Sequence, residues 1–333
     1  MDDFKNFIVG AYATSPTIFN WNEDKEKEYI LEFKKKLNIR GLELPFFGEL
    51  HGRNEDFFIE LLNSCWEYVL TCLPGTMKSL EVNPYFGLAS DNEEGRREAI
   101  DFLKKAHKTV EKLNKYFGEK KVISVVLTTS PSLKVDKVQS SVSSLVKSLN
   151  ELLNWNWFGA KLVIEHCDSG RKNNPVKGFL SLDEEIDALE TVNKNISNPI
   201  GLTINWARSV IEFRSEMGPI EHVNKCFNKG LLSGIMFSGT SPDSKLYGSW
   251  SDLHLPIAKE KGIEYFEETS LLTAQNIKNT LSQCKVGLLD YIGIKVLSMP
   301  IEGSSLDQRI GFNKDTMKIL NNVITDISNE YND

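Results

Sequence analysis

Histidine and cysteine are scarce in this chain, with five of each among 333 residues. The cysteines at 65, 72, 167, 226 and 284 are odd in number, scattered and never spaced C-x-x-C. That excludes a disulfide framework and a zinc knuckle, and it suits a reducing cytoplasm. No apolar run approaches the about 20 residues that a membrane helix needs. The opening "MDDFKNFIVGAYA" is acidic and breaks its apolar run early, so no signal peptide is expected and a cytoplasmic location is. No linker rich in Pro, Gly or Ser, no low-complexity tract and no G-x-G-x-x-G after the first apolar run is present, which weakens a dinucleotide-binding reading. An excess of positive charge is missing too. The net charge of -7 argues against a protein that tracks nucleic-acid phosphates. The Lys and Arg residues sit mostly in helical stretches such as "DKEKEYILEFKKKLN", where they read as a solvated face.

What the chain does have is rhythm. Hydrophobic residues make up 41% and charged residues 26%, enough for a sizeable core. Eight short apolar runs lie near 6–13, 40–47, 68–75, 122–129, 160–166, 200–206, 231–239 and 290–298. Amphipathic stretches follow them near 24–37, 54–65, 92–117, 139–153, 181–195, 219–229, 273–284 and 307–329. Alternating strands and helices imply right-handed βαβ units and a parallel sheet. Eight units at this length predict one (β/α)8 barrel domain over residues 1–333, with long loops over 74–91 after the third strand and 238–270 after the seventh. The active site of such a barrel lies at the C-terminal ends of the strands.

The candidates are therefore the polar residues that end the apolar runs. In "LVIEHCDSG" (162–170), alternation puts Val163, Glu165 and Cys167 on one face and Leu162, Ile164 and His166 on the other. With Glu165 directed to the mouth, His166 faces the helices. A Cys167–His166 dyad and a four-residue zinc site both fail, leaving Glu165, with Asp168 from the loop. Glu43 in "GLELP" interrupts the second run at the same height. "LTINWARS" offers Asn205, Trp206 as an apolar wall, and Arg208 as a fork for a carboxylate or phosphate, unless Arg208 pairs with Glu212. Ser238 ends the seventh run, and Lys295 stands in the eighth, where it needs a counter-ion such as Glu43 or Glu165, or a function. Ser305 and Arg309 follow the eighth run, where barrels often hold phosphate, although an arginine at a helix start is commonly solvated. His51 and His254 map to the functional face as acid, base or hydrogen-bond donor, whereas His107 and His222 fall within helices as surface or packing residues.

With "GLELP" on the second strand and "LVIEHCD" on the fifth, the chain resembles the xylose-isomerase-like TIM-barrel superfamily of sugar isomerases and epimerases. "GLTINWARSVIE" together with "GIMFSGTS" resembles, more narrowly, a bacterial family of unknown function within it. Superfamily members commonly hold a divalent metal with Glu on strand 5, Asp on strand 6, His on strand 7 and Glu on strand 8. Only Glu165 matches; Asn205, Ser238 and Lys295 occupy the other three positions, and the lysine would repel a cation. The resemblance implies a sugar or sugar-acid isomerase or epimerase, its substrate phosphorylated or not, with Glu165 as base and Glu43 or His254 as second acid/base. Lys295 would supply the charge a metal supplies elsewhere, and Arg208 or Arg309 would hold an anionic group. Three alternatives stay open: a Schiff-base lyase or aldolase using Lys295, a non-catalytic carbohydrate-binding barrel, and a metal enzyme with ligands drawn from His51, Glu165, Asp168 or His254. A small carbohydrate is the expected partner, with no membrane; a homo-oligomer stays open.

Overall fold

The computed structural model describes residues 2–169 and 174–330. Its eight strands form a closed parallel barrel in chain order, a (β/α)8 TIM barrel. The strands are β1 (Asp2–Val9), β2 (Leu37–Pro45), β3 (Glu67–Thr71), β4 (Val122–Leu127), β5 (Lys161–His166), β6 (Gly201–Asn205), β7 (Leu232–Phe237) and β8 (Tyr291–Ile294). By internal contacts the chain divides into two compact units, one of residues 1–42 with 204–333 and one of residues 43–203.

In the first unit β1 pairs with β2 on one side and β8 on the other, and β8 pairs with β7. Its helices are α1 (Glu23–Lys36), α7 (Trp206–Phe213), α8 (Met217–Asn228), α9 (Ala274–Leu281) and α10 (Leu306–Glu330). Gly293 is the tight point of this sheet. A Cβ there would lie 2.0 Å from the carbonyl oxygen of Ile8 and 2.9 Å from Met236 Sδ. Ser305 starts α10 by a reciprocal cap: its Oγ accepts from Gln308 N at 3.2 Å, and its own N–H donates to Gln308 Oε1 at 2.7 Å.

The second unit holds β3, β4 and β5 side by side, with α2 (Glu55–Leu61), α3 (Leu73–Val82), α4 (Glu93–Phe117), α5 (Val142–Leu153) and α6 (Leu182–Val192). The 25-residue α4 buries Ala99, Ile100, Leu103, Ala106, Val110 and Leu113, the three-to-four spacing of one helical face. Asn92 caps its start by accepting from Gly95 N, and Gly118 ends it at φ 72°.

Strand residues are buried on both faces, as in Tyr68–Leu70, Val125–Leu127 and Leu162–Ile164, which is why the sequence shows continuous apolar runs rather than alternation. Two expectations are corrected. Residues 74–91 do not form one long loop, because α3 occupies the first half; the Pro74-Gly75 pair looks like a turn, yet proline is favoured in a first helical turn. Gly75 is also a packing requirement there, since a Cβ would meet Phe46 O and the Phe102 ring at 2.6 Å. The tail of the first apolar run, Ala11–Thr14, is a short 3-10 turn rather than strand. Gly293→Ala should lower stability by about 1–3 kcal/mol, the usual cost of overpacking against backbone. Chemical denaturation with an unchanged midpoint would show that the β1–β8 approach is not as tight as described.

Candidate functional site

In the first unit three strands end on buried polar residues: β6 on Asn205, β7 on the following Ser238 and β8 on the following Lys295, each at most 1% exposed. Ser238 Oγ donates to Asn205 Oδ1 at 2.9 Å. Lys295 donates its backbone N–H to Phe237 O at 2.9 Å, and its ammonium stands 5.9 Å from the centre of the Tyr12 ring, within cation–π range. Arg208 lies in the first turn of α7. Its Nε donates to Asp252 Oδ2 at 3.0 Å, and both side chains are at most 4% exposed. Asp252 comes from the long segment between β7 and α9, which residues 238–273 span with an isolated Gly239–Leu255 bridge. The same carboxylate places Oδ1 3.6 Å from Nδ1 of His254.

Two residues singled out from sequence are bound to the protein's own frame in this unit. Trp206 opens α7 fully buried, and its indole N–H donates to Thr280 Oγ1 of α9 at 3.0 Å, so it packs helix on helix rather than forming an open wall. Arg309 is buried, not solvated. Its Nε donates to Ser304 O, and its terminal nitrogens donate to Thr14 O at 3.0 Å, Ser298 Oγ at 3.1 Å and Ile301 O at 2.7 Å. Burial pulls its pKa below the usual arginine value, with Tyr29 acting the other way. The guanidinium thus ties the segments after β1 and β8 to α10.

In the second unit Glu43 and Glu165 lie near the ends of β2 and β5, at most 2% exposed. Asp168 follows β5, and its Oδ2 accepts from Lys177 N while its carbonyl accepts from Gly178 N, both at 2.9 Å, which ties residues 177 and 178 to the end of β5. His166 turns outward: its Nδ1 lies 2.8 Å from Glu185 Oε2 on α6, and Glu185 Oε1 accepts from Thr129 Oγ1 at 2.7 Å. Cys167 packs instead with Leu73 and Phe179. His51 is held locally, its Nδ1 accepting from Asn54 N at 2.9 Å and its ring stacked on Phe58. Sequence reasoning missed Asp252 and Glu185. Asp252 sits in "SWSDLHLP", where nothing local marks it; only a partner 44 residues away, Arg208, gives it a place.

The donor chemistry of the first unit does not fit the divalent-metal site common in the superfamily. Its three strand ends offer an amide oxygen already accepting from a hydroxyl, that hydroxyl, and an ammonium ion.

Residues 8–312 match the family described as a domain of unknown function (DUF4862). The chain belongs to that family. It is 32% identical, over 96% of its length and 98% of the relative's, to an uncharacterized protein of Salmonella typhimurium. Solved structures that share its TIM-barrel fold include the following three. L-ribulose 3-epimerase superimposes with TM-score 0.59 at 9% identity, over 98% of this chain and 97% of that one. D-psicose 3-epimerase from Clostridium cellulolyticum, with D-tagatose, gives 0.55 at 14% identity, over 98% and 97%. A xylose isomerase domain protein from Alicyclobacillus acidocaldarius gives 0.54 at 12% identity, over 96% and 99%. No helix among the described residues is long and apolar enough to cross a membrane.

The cysteines separate by environment. Burial pushes the Cys72 thiol well up and Cys284 up to about 11, and Cys167 and Cys226 are buried, whereas Cys65 is exposed. Iodoacetamide at neutral pH should therefore label Cys65 alone in the folded protein, read by peptide mass spectrometry; rapid labelling of Cys167 would contradict this placement.

Proposed function

We propose that this protein is a sugar isomerase- or epimerase-like enzyme that moves a proton next to a carbonyl with side-chain acids and bases. The observation that carries the reading is the set of buried polar strand ends, Asn205, Ser238 and Lys295 in one unit and Glu43 and Glu165 in the other, each at most 2% exposed. The interiors of the parallel strands carry no other buried charge among the described residues, and in this fold strand ends are where chemistry resides. The fold is also that of enzymes named as 3-epimerases.

Proton abstraction beside a carbonyl needs a base and a stabiliser for the developing oxyanion. Glu165 is assigned as base, with Glu43 and His254 as candidates for the second acid/base role. Lys295 supplies fixed positive charge for the oxyanion, and Asn205 and Ser238 supply hydrogen bonds to substrate hydroxyls. Arg208, whose Nε donates to Asp252, is the candidate for holding an anionic substrate group. The substrate class is a small ketose or sugar acid. Glu165→Gln should abolish turnover, by about 10²-fold or more, while ligand affinity changes little, because an amide keeps the shape and loses the base. Steady-state kinetics beside calorimetric binding reads both quantities, and wild-type turnover in that variant removes Glu165 from the mechanism.

A second reading rests on Lys295 alone, since an ammonium 1% exposed is the setting in which lysines form Schiff bases. Borohydride in the presence of a keto-sugar would then fix a covalent adduct on Lys295, seen as a mass increase of that peptide. The isomerase reading expects no adduct.

A further inference from the structure

His254 is placed by restraints on its backbone and on its ring. Its φ is +58°, in the left-handed region that histidine enters more readily than most non-glycine residues, here between Leu253 and Leu255. The chain on either side is pinned. Leu297 N donates to His254 O at 2.7 Å, and Leu255 exchanges backbone hydrogen bonds with Gly239 at 2.7 and 2.9 Å. Gly239 can sit this close only as glycine, since a Cβ would lie 2.7 Å from Leu255 O. His254 is therefore tied at once to the extensions of β7 and β8, the two strands that Ser238 and Lys295 follow.

The side chain lies beside Asp252. The carboxylate is 4% exposed, with Oδ2 receiving Arg208 Nε at 3.0 Å and Oδ1 3.6 Å from His254 Nδ1, while the imidazole retains 16% exposure. The guanidinium is permanently charged and stands directly against the carboxylate in a buried place. Nδ1 of the imidazole is thus turned to the carboxylate, and Nε2 lies on the far side of the ring from it. At 3.6 Å the contact is an ion-pair approach slightly longer than a hydrogen bond, and catalytic hydrogen bonds are often long before substrate is present.

We propose that Asp252 is a positioning residue, held by Arg208, that fixes His254 in the tautomer with the proton on Nδ1 and makes Nε2 the working acid/base atom. The assignment rests on the isomerase-like reading for its catalytic consequence and sharpens it, because it chooses His254 rather than Glu43 as the second acid/base. In the step it implies, a substrate C–H or O–H bond breaks and its proton bonds to the Nε2 lone pair. The electron pair stays on substrate, and the new imidazolium charge is balanced by Asp252. The proton returns from the same nitrogen to the substrate, so nothing beyond the sugar is consumed.

Histidine tautomers are read directly by long-range 1H–15N correlation spectra of the full chain, with the His254 signals assigned by their loss in His254→Gln. Above the imidazole titration, the wild-type protein should show Nδ1 protonated and Nε2 bare, and Asp252→Asn should move the population toward Nε2–H. A wild-type Nε2–H tautomer overturns the assignment, and so does an unchanged tautomer in a folded Asp252→Asn. If that variant does not fold, the wild-type spectrum decides alone. These spectra need no substrate, so their outcome is separate from the proposed reaction. With a turned-over ketose, Asp252→Asn should cut kcat by up to about 10²-fold at nearly constant KM, whereas a purely structural loss would change both or neither.

Discussion

A parallel strand covered on both faces leaves a polar side chain no solvent along its length, and a charge buried without partners costs several kcal/mol. Everything chemical in this protein follows from that constraint. Val125, Val126, Val163, Ile164, Ile235 and Ile292 fill the strand interiors, where the buried polar residues are small ones such as Ser124, Thr203 and Ser233, and the buried charges Glu43, Glu165 and Lys295 lie at or near the strand ends. Lys295 and Glu165 are the extreme cases, both about 1% exposed. Groups buried to that extent are retained by function or by compensating partners. Proton transfer beside a carbonyl is the chemistry proposed for them.

The segment between β7 and α9 shows how such a position is built from remote parts. Arg208 enters from the first turn of α7, Asp252 from the middle of the long connection, and the backbone of His254 is fixed by the extension of β8. Arg214 sits over the Trp250 ring at 5.2 Å, so a second arginine from the same region meets the same connection. A long connection without helix or strand is thereby given fixed geometry through two arginines. Arg309 does comparable work on the other side of the chain order, joining the segments after β1 and β8 through backbone carbonyls. Arginine suits both tasks because its planar fork makes several directed bonds at once.

Much of this was legible before the structure. The eight strand–helix units, the barrel and the polar strand ends follow from the spacing of apolar runs, and alternation along "LVIEHCDSG" alone separates Glu165 from His166. The helix Leu73–Val82 was hidden because Pro and Gly near its start read as a turn, and Trp206–Phe213 because it follows its strand with no intervening loop. Arg309 and Trp206 could not be separated from ligand-binding residues by type, since the same fork and the same indole serve a frame as well as a substrate. Asp252 was invisible for a further reason: its meaning lies in a contact 44 residues distant in sequence.

The central claim, proton transfer next to a sugar carbonyl, is tested most directly by incubating the purified protein in D2O with a panel of free and phosphorylated ketoses and sugar acids and following the protons adjacent to the carbonyl by NMR. The account predicts that at least one member of the panel loses that proton signal to deuterium with the wild-type protein and keeps it with Glu165→Gln. Binding of a panel sugar with no exchange and no conversion by the wild-type protein would contradict it and leave a carbohydrate-binding barrel in its place.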